Sequence, residues 1–424
     1  MTGFPKKIKF DGWHAPRKRV FTIAVAVGTI LLMSAGMPIR LPVLSNGQQP
    51  AADTPVVAPP EWIRPDHSGS APVWGIRNGI VVALWPAAIE NVRPGNDGGP
   101  RGLLRIGYEW KNVIYHINYI AIEPVVHGNM EFSEISPSQA DGKWGKLMWA
   151  GETPEPGRFS ATAGTRGVLT TDTFRMPGNV ITNHKSKSRK TGITAVTSTV
   201  TQPDAQHPER SVLSLYVFME QFRNGAHPYL RLSIHSERPE ELCIEVFQQP
   251  DSAPMERCGV TATMGNYSRL RNLYLQHKVV NARQLYAGYQ GIDFTEQAPY
   301  PANEMLHNKR GDFIAIAQPD EPLNELMSWP DTPAYAARWN WRYRPFYKLT
   351  QYWRVTAEQA DSSLQVRVNG RAKYWSGGNR NAVAYIDIPG GPSFENFELR
   401  QTYRAGQQFY FGLTRKTIEQ LLAE

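Results

Sequence analysis

Apolar and polar residues alternate with a period of two through most of the chain between residues 71 and 413. The alternation is clearest in five segments, 212–218, 229–235, 364–369, 384–388 and 394–400. Because successive side chains of a β-strand point to opposite faces, this pattern predicts strands that bury one face and expose the other. Turn-forming pairs punctuate the strands at Asn224-Gly225, Asn369-Gly370, Gly377-Gly378 and Gly390-Gly391.

Helical signals are few. Residues 321–329 and 414–422 have the composition of short helices, and 268–289 fit neither a helical nor a strand period. The sequence therefore predicts a mainly β protein, with one large antiparallel β-sandwich (supersandwich-like) or two tandem sandwiches and few short helices. No internal repeat of the length that a propeller requires is present.

The amino-terminal segment has the pattern of an export signal. Arg17, Lys18 and Arg19 precede the apolar stretch 20–33, and Ser34 and Gly36 supply small residues for a cleavage site. The stretch is short for a membrane span of roughly 20 residues, but an extension to residue 37 leaves an uncleaved anchor open. We interpret 1–37 as a signal peptide or membrane anchor, 38–70 as a Pro-rich linker, 71–413 as the β-sandwich domain and 414–424 as a C-terminal helix.

Charge and motifs exclude several classes of protein. The formal charge is +8, but residues 1–36 hold six basic side chains against one acidic one, so the rest of the chain is nearly balanced. A nearly neutral folded part lacks the excess of positive charge that binds the phosphates of nucleic acid. No Walker A loop, dinucleotide fingerprint or HExxH motif is present, and neither a cofactor nor a metal is expected.

Cys243 and Cys258 are the two cysteines of the chain. An exported compartment permits a disulfide between them that would tie neighbouring strands together, and two free buried thiols are the alternative.

Two regions resemble known proteins. Residues 71–75, 99–106 and 120–125 resemble exported proteins of environmental bacteria such as planctomycetes. Residues 394–399 and 403–411 form a pattern of a strand, a turn with Gly and an aromatic strand. This pattern is similar to the last strand pair of galactose-mutarotase-like β-sandwiches, which occur in sugar epimerases, polysaccharide lyases and glycosidases. This resemblance implies carbohydrate as the substrate class, and a late glutamate as the base.

Four residues are candidates for acid–base catalysis. Glu395 shares a strand face with Phe397 and Leu399 in the predicted pattern, so burial would raise its pKa and suit it to proton transfer. Glu123 is a second carboxylate, and a separation of roughly 5 to 9 Å from Glu395 would fit a glycosidase pair. His116 and His184 are the histidine candidates. Each has a structural alternative: an ion-paired carboxylate, or an exposed or structural imidazole.

The segment 338–354 interleaves aromatic and basic side chains, with Trp339, Trp341 and Tyr343 on one strand face and Arg342 and Arg344 on the other. Rings can stack on sugars, and Arg can bind carboxylate or sulfate in a bidentate manner. The alternative is a strip of core aromatic residues.

Together these features predict an exported carbohydrate-interacting protein, in the periplasm, cell envelope or extracellular space, that contacts a membrane only through an uncleaved N-terminal segment. Its partner would be a neutral or acidic glycan. We expect the protein to be a polysaccharide lyase, glycoside hydrolase or sugar epimerase that uses carboxylates as acid and base. The alternative is a non-catalytic carbohydrate-binding or structural envelope protein.

Overall fold

A computed structural model describes residues 60–64, 73–84, 104–134, 147–151, 173–175, 179–180, 189–190, 194–196, 211–219, 221–263, 265–325, 341–342, 347–375 and 385–424. Every described residue belongs to one compact unit, Ala58–Glu424. The predicted signal or anchor, and most of the predicted linker, lie outside the described residues.

The strands of the amino-terminal half are β1 (Trp62–Ile63), β2 (Val73–Ile76), β3 (Ile80–Leu84), β4 (Leu104–Trp110), β5 (Val113–Val126), β6 (Asn129–Met130), β7 (Ser133–Glu134), β8 (Leu147–Gly151), β9 (Thr173–Arg175), β10 (Asn179–Val180), β11 (Arg189–Lys190), β12 (Thr194–Val196), β13 (Val212–Met219) and β14 (Pro228–His235). The strands of the carboxy-terminal half are β15 (Glu241–Gln248), β16 (Arg257–Thr263), β17 (Leu270–Tyr274), β18 (Val279–Asn281), β19 (Ala298–Pro301), β20 (Leu306–His307), β21 (Phe313–Pro319), β22 (Trp341–Arg342), β23 (Thr350–Val355), β24 (Gln365–Arg371), β25 (Lys373–Trp375), β26 (Tyr385–Asp387), β27 (Ser393–Thr402) and β28 (Gln407–Thr414). The α-helices of the described residues are α1 (Ala282–Leu285) and α2 (Ile418–Leu422).

Two large sheets form a β-sandwich. The first sheet has the order β1-β2-β3-β4-β5-β16-β27-β24-β19, and β6, β7 and β22 also pair with β5. The second has the order β18-β17-β21-β23-β28-β15-β14-β13-β8, and β20 pairs with β21. Among the described strands, pairing is antiparallel except between β22 and β5, which are parallel. Strand accounts for 53% of the structure and helix for 6%, well below the roughly 30–35% helix of average globular proteins, so the predicted mainly β fold is confirmed.

The core lies between the sheets and follows the alternation in the sequence. Inward residues of the first sheet, such as Ile122, Val260 and Leu399, belong to one buried cluster with inward residues of the second, such as Leu215 and Phe411. Trp353 connects the two sheets directly, because its indole N–H in β23 donates to the backbone carbonyl of Phe397 in β27 at 2.7 Å. Three aromatic residues at the end of the predicted sugar-binding segment are buried. Tyr347 and Trp353 belong to this core, whereas Tyr352 packs in a second buried cluster with Ile314, Ile316 and Leu421.

Several predicted boundaries change. Strand β1 lies inside the segment predicted as linker and pairs with β2, so the sheet begins about ten residues earlier than predicted. The C-terminal helix begins at residue 418, because Thr417 caps it with its side chain and residues up to Thr414 belong to β28. Residues 321–325 are not helical, and 268–289 resolve into strands and short helical turns. Asn369-Gly370 does not form a turn but lies within β24.

The possible disulfide between Cys243 and Cys258 is not formed; both cysteines are free and buried. Although β15 and β16 are consecutive, they lie in different sheets. Cys258 points into the core, whereas Cys243 alternates with the core residues Leu242 and Ile244 and points away from it. Burial raises the pKa of both thiols, as expected of inert structural cysteines.

Within the described part of the chain, no helix has both the length and the apolar character needed to cross a membrane.

Candidate functional site

The outer face of the first sheet carries charged side chains that are nonetheless buried. On β5, β16, β27 and β24, the residues that alternate with the core include Glu123, Thr261, Glu398 and Arg367. One nitrogen of Arg367, Nη1, lies 3.1 Å from a Glu123 oxygen and 2.8 Å from a Glu398 oxygen. Thr261 donates its hydroxyl to the other oxygen of Glu398 at 3.0 Å. Four strands thus converge on one closed polar cluster.

The Glu398 carboxyl of this cluster has a shifted pKa. Burial raises the pKa of Glu398 well above the ordinary 4.5, and the neighbouring charge of Glu123 and a hydrogen bond to Glu123 raise it further. Arg367 and Thr261 oppose this rise without reversing it. Glu398 therefore holds its proton to a higher pH than an exposed glutamate does, and the guanidinium of Arg367 lies within ion-pair distance of both carboxyl groups.

Glu395 differs from its prediction in one respect. It is buried, as predicted, at 2% exposure. However, it lies in a β-bulge, because Asn396 opposes Asn369 while Phe394 opposes Gly370. The bulge reverses the alternation, so that Phe394 rather than Glu395 joins the core with the apolar residues of β27.

The carboxylate of Glu395 lies 4.0 Å from the guanidinium of Arg371, which gives it a charged partner. Its predicted pairing with Glu123 is not observed. Glu123 opposes Gly259, which in turn opposes Arg400, and Arg400 is five residues from Glu395 along β27. At about 3.3 Å per residue, Glu395 lies roughly 16 Å along the strand from the level of Glu123, which is too far for a glycosidase pair.

The other predicted site residues are placed only in part. His116 lies in β5 opposite Gly107, next to a register shift between β4 and β5. Trp341 and Arg342 form β22, which lies beside residues 114–115 of β5. His184, Trp339, Tyr343 and Arg344 lie outside the described residues. The first sheet therefore contains Glu123, Glu395, His116 and the 341–342 strand, but the described side chains among them do not converge.

The outer face of the second sheet carries a continuous belt of hydrogen-bonded polar side chains. Arg231 binds both oxygens of Glu245, and Gln408 donates to the same carboxylate at 3.2 Å. Tyr410 donates its hydroxyl to the side-chain amide oxygen Oε1 of Gln408 at 2.8 Å. At the other end Tyr216 opposes Arg231 and hydrogen-bonds to it. We call these five residues the polar belt.

Unlike the cluster on the first sheet, the polar belt reaches the surface. The side chain of Arg231 is 39% exposed, and the side chains of Tyr216, Gln408 and Tyr410 are half-buried. Hydrogen bonding to Glu245 raises the pKa of Arg231, so its charge is permanent. The belt thus presents fixed, partly exposed hydrogen-bonding groups across four adjacent strands.

A row of three aromatic rings runs parallel to the polar belt. Phe218, Tyr229 and Phe247 oppose one another on β13, β14 and β15, with ring centroids 4.8 and 4.9 Å apart and planes inclined by 11°. Because the rings stack on each other, their edges rather than their faces are available to a ligand; Tyr229 and Phe247 are half-buried and Phe218 is buried. We call them the ring row; together with the polar belt it gives this sheet face one polar and one apolar strip.

The sequence alone did not identify the key residues of either site, the carboxyl cluster on the first sheet or the ring row on the second. Arg367 and Glu398 lie on the polar face of predicted strands, but a polar face in one strand is normally solvated, and only the assembled sheet shows that it is buried. The ring row was present as aromatic residues at outward positions of 212–218 and 229–235, a signal that the strand pattern alone could have identified.

No three His, Cys, Asp or Glu side chains converge as a metal-ligand set in the part of the chain that the structure describes. In comparisons with known proteins, no family model, curated protein or solved structure matches the chain.

Proposed function

We propose that this chain is an exported, non-catalytic carbohydrate-binding protein that holds a glycan on the outer face of its second sheet. The observation that carries the proposal is the parallel arrangement of the polar belt and the ring row. A sugar ring has hydroxyl groups at its edge and apolar C–H groups on its faces, so it is complementary to adjacent polar and apolar strips. Pre-bonded groups such as Arg231 and Gln408 also lose little conformational freedom on binding.

Two further points support this assignment. The carboxylates predicted to be catalytic are held in ion pairs, Glu123 with Arg367 and Glu395 with Arg371, which is what a structural role predicts. The two-sheet sandwich is also the architecture implied by the resemblance to galactose-mutarotase-like domains, although a fold by itself does not fix a function. Export rests on the amino-terminal sequence pattern alone.

The test is a glycan array with the full chain, followed by titration of the best oligosaccharide into variants. Arg231→Gln should weaken binding by about tenfold or more, since a hydrogen bond to a charged group contributes about 1.5–3 kcal/mol. Tyr229→Ala should weaken it by about 1 kcal/mol through lost contact with the ring row.

Arg77→Gln is the matched control. Arg77 is also paired with a glutamate, Glu61 at 2.8 Å, and its side chain is 36% exposed, but it lies in the turn between β2 and β3, outside the polar belt and the ring row. Equal effects of the Arg231 and Arg77 substitutions, or an array without any bound glycan, would refute the proposal.

A second candidate function is proton-transfer catalysis on a sugar by Glu123 and Glu398. The raised pKa of Glu398 favours it, because a carboxyl group that holds its proton to a higher pH is suited to act as a general acid. The hydrogen bond between the two carboxyls makes them closer than the roughly 5 Å of a retaining glycosidase pair, so epimerisation or elimination fits better than hydrolysis. Product analysis on glycans bound by the native chain tests this candidate: turnover that survives Glu398→Gln would exclude it.

A further inference from the structure

A cleft at one end of the second sheet lies on the same outer face as the polar belt. On β15, Glu241 and Glu245 both point to this face, because they alternate with the core residues Leu242 and Ile244. Glu245 belongs to the polar belt, whereas Glu241 lines the cleft, which has a volume of about 420 Å³. Ligand pockets in proteins have volumes of about 300–1,000 Å³, so a sugar unit can enter this cleft. The two glutamates are four positions apart, about 13 Å along an extended strand.

Segments that are distant in sequence form the walls of the cleft. Residues 237–240 come from the hairpin between β14 and β15, Arg310 comes from the turn before β21, and Glu424 follows α2. Tyr352 of β23 also lines the cleft. Its ring lies over Gly412 of β28, where any larger side chain would overlap the ring. The cleft is therefore built from both strands and turns of the sandwich.

Arg354 connects the cleft to the polar belt. It donates to both oxygens of Glu241, at 2.6 and 2.9 Å, and its guanidinium lies 4.0 Å from the ring centroid of Tyr410 in the belt. Tyr352 donates its hydroxyl to the same carboxylate at 3.1 Å. Burial opposes the charge of Glu241, but Arg354 outweighs burial and lowers the pKa of this carboxyl. These shared contacts fix the position of the cleft relative to the belt.

Two arginines of the cleft have N–H groups that the described residues leave unused. Arg310 is exposed and, among these residues, donates through Nε alone, to the main-chain oxygen of Glu424 at 3.0 Å. Nη1 of Arg238 lies 3.5 Å from both Glu241 and Glu424, which is long for a hydrogen bond, and its side chain is 20% exposed. Both guanidinium groups can therefore donate further hydrogen bonds to a ligand in the cleft.

Charges of both signs line the cleft in nearly equal number. Lys416 is the third cation, and its Nζ lies 3.2 Å from Glu240 and 2.7 Å from Glu424. Together with Glu237 and Glu241, four carboxylates and three cations line the cleft, an excess of one formal negative charge. This excess disfavours an acidic ligand. Sugar hydroxyl groups both donate and accept hydrogen bonds, so they can bond to a guanidinium and to a carboxylate side by side.

We propose that this cleft is a second subsite for the glycan on the polar belt and the ring row, and that it binds a neutral sugar unit. The inference rests on the proposed function and deepens it. Arg238 and Arg310 donate to hydroxyl groups of the sugar, and Glu424 accepts from them. Because the cleft lies about 13 Å along the strand from the belt, the ligand is a neutral oligosaccharide that reaches both places, whereas a disaccharide occupies only one of them.

The experiment is calorimetric titration of the full chain with the neutral glycan that binds best on the array, prepared as a disaccharide and as a hexasaccharide. The native chain should bind the hexasaccharide more tightly by about tenfold or more, because only the longer chain gains hydrogen bonds to charged groups in the cleft. Arg310→Gln should weaken binding of the hexasaccharide by about tenfold and leave binding of the disaccharide unchanged. Because Arg310 is exposed, the melting temperature of this variant should equal that of the native chain.

Arg257→Gln is the matched control, because Arg257 is also exposed but lies at the start of β16 in the first sheet. It should leave both affinities unchanged. Arg231→Gln, in the polar belt, separates this inference from the proposed function, because it should weaken binding of both ligands equally.

Two results would overturn the subsite while the proposed function stands. They are an affinity that does not depend on glycan length, or an unchanged hexasaccharide affinity in Arg310→Gln, with Arg231→Gln still weakening both ligands. Tighter binding of a uronate-containing hexasaccharide than of the neutral one would overturn the assignment of a neutral unit. If Arg231→Gln has no effect, or neither ligand binds, the subsite and the proposed function are both wrong.

Discussion

The raised pKa of Glu398 leads to a quantitative prediction about stability. Glu398 has a pKa above its ordinary value in the folded chain, so the folded state retains a proton that the unfolded state releases above about pH 4.5. Its contribution to stability is therefore fully present below pH 4.5 and is lost as the pH rises through the folded-state pKa. For one retained proton, the free energy of unfolding falls by about 1.4 kcal/mol per pH unit within that window.

Glu398→Gln removes this dependence. Glutamine keeps the shape of a protonated glutamic acid, can donate to Glu123 and accept from Arg367, and does not ionise. Between pH 5 and pH 7, the stability of the native chain should fall relative to the variant by up to about 2.7 kcal/mol, which is two pH units at that slope. The variant should be the more stable of the two at pH 8.

Urea unfolding, followed by tryptophan fluorescence at half-unit steps from pH 5 to pH 8, gives the two slopes. Glu358→Gln, in an exposed turn, controls for the loss of one negative charge and should follow the native chain. Parallel pH profiles for the native chain and Glu398→Gln would show that no proton is retained and would refute the reasoning.

Three further predictions concern the sandwich itself. Trp353→Phe removes the hydrogen bond between the sheets and should lower the free energy of unfolding by about 1–3 kcal/mol in urea titrations; an unchanged midpoint and slope would contradict it. Arg271→Met should lower the free energy of unfolding by at least about 2 kcal/mol, because the buried Arg271 lies 2.8 Å from Asp320 and donates to backbone carbonyls of the 389–392 turn. A variant as stable as the native chain would show that these contacts do not stabilise the fold. Both Cys243 and Cys258 should resist a thiol reagent in the folded chain and react after unfolding without prior reduction, whereas a chain without reactive thiols after unfolding would have the disulfide.

The strands and the fold class could be predicted because the signal is local. Alternation in 212–218 or 364–369 reports directly on which side chains of one strand face the core, and the structure follows it. The pairing of strands is not local. Strands β15 and β16 are adjacent in sequence yet lie in different sheets, so the proximity of Cys243 and Cys258 along the chain was misleading.

The candidate site was harder to predict for the same reason. Glu123 was identified as a candidate catalytic carboxylate, but its partners Arg367 and Glu398 come from strands more than 200 residues away. Glu395 was assigned to the core face because nothing in its own sequence marks a β-bulge, which arises from a register shift against the neighbouring strand. One inserted residue in the pairing exchanged Glu395 for Phe394 at the core.

The central claim, that a glycan lies across the polar belt and the ring row, is tested most directly by hydroxyl-radical footprinting with mass spectrometry. The measurement compares oxidation of individual side chains with and without a saturating oligosaccharide from the array. We predict that the ligand protects Tyr216, Tyr229 and Phe247 on the second sheet and leaves Tyr274 and Tyr289, which lie outside the polar belt and the ring row, unchanged. Protection confined to other side chains, with these three oxidised equally in both states, would contradict the account.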